Sequence, residues 1–110
     1  MIKASKVVFI SKELEKDFYE LKDDDFVKKA MAKAIRALRE NAFAGIQVPK
    51  RLIPWEYIRK YGITNLWKYN LAKGWRLLYT VTADNEVELI SAILEWLSHK
   101  AYERRLGYGR

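Results

Sequence analysis

Two rhythms of apolar residues divide the chain, a helical spacing up to Leu38 and a strand-like alternation from Leu66 onward. Ahead of both, Val7-Val8-Phe9-Ile10 is a short β-branched and aromatic run that predicts a strand. Ser11 follows as an N-cap, and Leu14, Phe18 and Leu21 share one face of a helix over residues 12–22. Asp23-Asp24-Asp25 stops that helix and offers a capping oxygen and negative charge to the next. There Phe26, Val27, Ala30, Met31, Ala34, Ile35 and Leu38 recur at helical spacing, with Lys28, Lys29, Lys33, Arg36 and Arg39 on the opposite side. Gly45 ends the region. Residues 46–66 lack a clear period, but Pro54 is placed to open a short helix that Gly62 closes.

The second rhythm predicts strands over Leu66–Leu71 and Trp75–Thr82, joined tightly through Ala72-Lys73-Gly74. Alternation puts Trp75, Leu77, Tyr79 and Val81 on one face and Arg76, Leu78, Thr80 and Thr82 on the other. A turn at Ala83-Asp84-Asn85-Glu86 leads to a third strand, Val87–Leu94, whose nearly continuous apolar content suits an interior position. Ser98 caps a last helical segment, His99–Arg105, ending at Gly107. The expected fold is α+β: an N-terminal strand, a helical hairpin, then a three-stranded antiparallel meander with the helices on one face. The first strand pairs at an edge of that sheet or beside its last strand.

Composition narrows the class. One domain spanning residues 1–110 is expected from 110 residues, and 50% hydrophobic with 14% aromatic content is enough for a core. No apolar stretch approaches bilayer length, and four strongly apolar residues after Lys6 are too few for a signal peptide. With no cysteine, disulfides, thiolate catalysis and Cys-based zinc sites are excluded. One histidine leaves only carboxylates as other metal ligands, so neither metal nor cofactor is expected. The chain reads as soluble and cytoplasmic.

Charge adds a partner. Residues 1–47 carry ten basic and eight acidic side chains, and residues 84–110 four and five. Residues 48–83 carry seven basic and one acidic, so +6 of the total +7 is concentrated there. A concentrated excess suits a polyanion, whereas a solvated surface interleaves its signs. Within 49–61, bases interleave with Trp55, Tyr57 and Tyr61. That pattern fits either RNA contact through phosphates and stacked bases, or a wrapped loop whose aromatics fill the core.

The helical hairpin, then Asn65-Leu66-Trp67-Lys68-Tyr69-Asn70-Leu71 and Gly74-Trp75-Arg76-Leu77-Leu78-Tyr79, resembles the RelE/ParE toxin superfamily. Trp96-Leu97-Ser98-His99-Lys100-Ala101-Tyr102-Glu103-Arg104 is similar to the superfamily's C-terminal stretch. The resemblance implies a small basic protein that enters the ribosomal decoding site, cuts messenger RNA without metal and is silenced by a small antitoxin. Cleavage of that kind uses the 2′-hydroxyl of the RNA, so the protein must stabilise phosphate charge and move protons. By that resemblance Arg76 takes the phosphate, and Tyr102 stacks on a base or assists proton transfer. His99 belongs to the residue type used for general acid–base work near neutrality. Each has a plainer reading: an exposed strand Arg, a Tyr anchoring the tail, a structural His. Lys50, Arg51, Arg59, Lys60, Lys68, Lys73, Arg104, Arg105 and Arg110 are the candidate contacts to ribosomal or messenger RNA.

One departure matters. RelE nucleases place two lysines on the strand before the Arg motif, where this chain has Trp67 and Tyr69 with Lys68 between them. Two further readings therefore stay open: a RelE-fold protein that binds ribosomal RNA without cutting, and a ParE-like toxin directed at DNA gyrase.

Overall fold

The computed structural model describes residues 2–83 and 88–107. Strand β1 (Ser5–Phe9) leads into helices α1 (Lys12–Glu20) and α2 (Phe26–Glu40), then the two-residue strand β2 (Ile46–Gln47). Helix α3 (Trp55–Tyr61), strands β3 (Trp67–Asn70), β4 (Arg76–Ala83) and β5 (Leu89–Leu97), and helix α4 (His99–Leu106) complete the chain. The caps expected at the helix starts are formed. Ser11 Oγ accepts from the Leu14 N–H at 3.1 Å, and Asp25 Oδ1 from the Val27 N–H at 2.8 Å.

All five strands form one sheet in the order β1-β5-β4-β3-β2. The β3–β4–β5 meander is antiparallel, as expected. β1 lies parallel to β5 at the sheet's edge, with Val8 opposite Ala92. That direction follows from the helical hairpin, which carries the chain back over the sheet before the meander starts. The expected turn at Asp84–Glu86 and the start of the third strand at Val87 lie outside the described residues.

The sheet buries both faces. On one, α1 and α2 pack Phe18, Val27, Met31, Ala34 and Leu38 onto Leu77, Tyr79 and Ile93. On the other, Tyr57 of α3 and Tyr102 and Leu106 of α4 pack with Val48, Leu66, Leu78 and Leu94. As expected, the two helices of the hairpin cover one side; the two short helices, α3 and α4, cover the other. Leu78 and Leu94 require this, because an aliphatic face of the central strands left in water would forfeit its burial energy.

The alternation of β4 is as read from the sequence, but β5 breaks step. Leu78 pairs with Glu95 and Tyr79 with Ile93, so Leu94 is an extra residue at a bulge. The bulge turns Glu95 toward the α3/α4 side, beside Leu94, where it accepts a hydrogen bond from Tyr57 Oη at 3.1 Å. Among the described residues no helix is long and apolar enough to cross a membrane.

Candidate functional site

The site forms where the β3–β4 turn meets the start of α4. Lys68 and Arg76 lie on adjacent antiparallel strands, with Lys68 opposite Leu78 and Asn70 opposite Arg76. Alternation puts both on the α4 side of the sheet. There they meet Tyr102, a residue only 3% exposed. Lys68 Nζ is 5.4 Å from the ring centroid and the Arg76 guanidinium carbon 5.5 Å, both within cation–π reach.

Arg76 is held from below by backbone. Its Nη1 donates to the Gly74 carbonyl at 2.7 Å and to the Trp75 carbonyl at 3.2 Å. Its Nε is buried and has no hydrogen-bond partner among the described residues. None of the ion pairs among those residues involves Arg76. A buried guanidinium donor with no acceptor is costly, and an anion drawn to the fork would offset that cost.

His99 opens α4 at the same place. The turn comes so close that a side-chain carbon on Gly74 would lie 3.2 Å from His99 Cβ, and Gly74 itself has φ +80°. His99 Nε2 lies 3.0 Å from the Glu103 carboxylate one turn on. The structure thus brings together Arg76, Tyr102, His99 and Lys68. Glu103 was missed in reading the sequence, although its four-residue spacing from His99 marks it as a helical neighbour.

The other expected RNA contacts scatter. Lys50 and Arg51 are exposed on a 3₁₀ turn (Lys50–Leu52), and Arg59 and Lys60 are exposed on α3. Lys73 turns to the opposite face, its Nζ 4.3 Å from the Phe26 ring centroid. Arg104 is exposed on α4, and Arg110 lies outside the described residues. Arg105 points inward: it pairs with Glu95, donates to Tyr57 Oη at 3.3 Å, and its Nε lies 3.9 Å from Glu56. Burial, then the Glu95 charge, pushes the Tyr57 phenol well above its ordinary range. With its charge balanced by Glu95 inside the fold, Arg105 ties α4 to α3 and β5. Trp67 and Tyr69 pack against the α1/α2 core, Trp67 stacking on Tyr79 with centroids 6.2 Å apart. Among the described residues, no three His, Cys, Asp or Glu side chains gather in a way that could hold a metal ion.

Searches among curated proteins and among solved structures give no match to the chain. A family model described as the ParE toxin of the type II toxin–antitoxin system parDE matches residues 8–95, from β1 to the bulge in β5. That stretch carries Lys68 and Arg76 and stops short of α4. Family and fold agree with the resemblance in the strand motifs, and the chain belongs to the ParE toxin family of type II toxin–antitoxin systems.

Proposed function

We propose that the protein is a cytoplasmic toxin that acts on RNA at the ribosome, holding a phosphate at Arg76 and Lys68, and that a small antitoxin silences it. The observation that carries this reading is the convergence of two cations on one buried tyrosine ring, with His99 against the Gly74 turn whose carbonyl holds Arg76. In cleavage by 2′-hydroxyl attack, that oxygen bonds to phosphorus as the bond to the 5′-oxygen breaks. The products are a cyclic phosphate and a 5′-hydroxyl. Arg76 supports the extra negative charge on the phosphoryl oxygens. His99, steadied by Glu103, takes or returns the proton, and Tyr102 supplies the surface on which both cations are packed.

Ribosome co-sedimentation over a salt series tests the binding half. Lys68→Gln and Arg76→Gln should each weaken binding and flatten its salt dependence, because each removes one phosphate contact. Binding and slope unchanged in both variants would remove the proposed surface. One observation favours a second reading, a toxin that binds its target without cutting RNA, as the gyrase-directed branch does. The positions where RelE nucleases carry lysines are Trp67 and Tyr69 here, and both rings are half-buried against the α1/α2 core.

A further inference from the structure

Among the aromatics of the basic 49–61 stretch, Tyr57 is 3% exposed in the core, and Tyr61 is half-buried against it. Trp55 faces the other way and is 67% exposed. It is held stiffly. Pro54 before it is buried at φ −58°, and Tyr57 two residues on locks α3 to the sheet through Glu95. Arg59 follows one helical turn later on the same side, and Lys50, Arg51 and Lys60 are exposed nearby in the chain. The sole carboxylate of the stretch, Glu56, leans toward Arg105 at 3.9 Å.

We infer that this outer side of α3 is a second RNA subsite, in which Trp55 stacks on an unpaired base while Arg51 and Arg59 hold the flanking phosphates. It rests on the reading that the protein acts on RNA. An exposed indole with exposed cations close by in the chain suits sequence-tolerant single-strand binding. Every base has a face to stack, and the neighbouring phosphates need positive charge. The contacts come from side chains, so duplex RNA, whose bases are already stacked, gains nothing from Trp55. The subsite lies on the same side of the sheet as Arg76 and Tyr102, since α3 and α4 share one core.

Fluorescence anisotropy with an unstructured oligouridine and a duplex of equal length tests this on the full chain. Trp55→Ala should weaken single-strand binding by about five- to a hundredfold, from the cost of removing one stacking partner. Its salt slope should stay unchanged, and Trp55→Phe should recover most of the affinity. Arg59→Gln should instead lower the slope by about 0.7, the value for one phosphate contact on a single strand. Duplex binding should ignore Trp55. An exposed site should leave the melting temperature of Trp55→Ala unchanged, which separates lost contact from lost fold. If the parent binds RNA through Arg76 while Trp55→Ala binds equally well, the subsite is wrong and the RNA reading survives. Loss of antitoxin binding alone in Trp55→Ala would make Trp55 a protein contact and overturn the inference. A parent that binds no RNA overturns both.

Discussion

Tyr79 shows how much one side chain can fix. It is fully buried on β4, donates to the Ala42 carbonyl at 2.9 Å, and accepts from the Gly45 N–H at 3.0 Å. It thereby pins the segment after α2 to the sheet. Burial, opposed by the Gly45 hydrogen bond, pushes its phenol up to about 12. A phenol whose proton is held more tightly in the folded state stabilises the fold fully below its unfolded pKa near 10. That contribution disappears as pH rises through about 12. Tyr79→Phe should cost about 1–3 kcal/mol at pH 7, because it strands a buried donor and acceptor. Its stability should also fall less steeply than the parent's between pH 10 and 12. Urea midpoints across that range check both, and parallel curves for the two proteins would deny Tyr79 this role. Arg104 and Arg105 give the opposite lesson about legibility. Side by side in the sequence, they part because successive helical residues point about 100° apart. One reaches solvent, and the other reaches Glu95.

At the scale of elements, the chain's own rhythm was enough to read α1, α2, the meander and the ends of α3 and α4. Each depends on local spacing, caps and breakers. What stayed hidden depends on distant partners. The parallel direction of β1 beside β5, the two-residue β2 and the face covered by α3 and α4 are fixed by tertiary packing. No glycine or proline flags the bulge at Leu94, yet it decides where Glu95 points. The candidate site divides the same way. Lys68 and Arg76 on one face follow from alternation across a short connection. That Tyr102 lies under both follows only from how α4 crosses back. The turn that aligns these parts turns on Gly74, at φ +80° and against His99. Gly74→Ala should therefore lose about 1–2 kcal/mol through backbone strain and crowding. An unchanged unfolding midpoint would show that the turn tolerates a side chain and does not set the position of His99.

For the whole molecule, the two sides of the sheet carry different duties. The α1/α2 side holds the larger aromatic core, with Trp67 and Tyr69 half-buried against it, and the α3/α4 side gathers Lys68, Arg76, His99 and Trp55. The basic excess of residues 48–83 supplies much of that second side, in keeping with a polyanionic target. The most direct measurement is primer extension on ribosomes programmed with messenger RNA and incubated with the parent or with Arg76→Ala. The expected result is cleavage in the decoding site leaving cyclic phosphate ends, reduced about a hundred- to a thousandfold by Arg76→Ala, the usual cost of losing one charge-stabilising group. Messenger left intact by an excess of parent protein, with DNA gyrase inhibited instead, would contradict the RNA-directed reading.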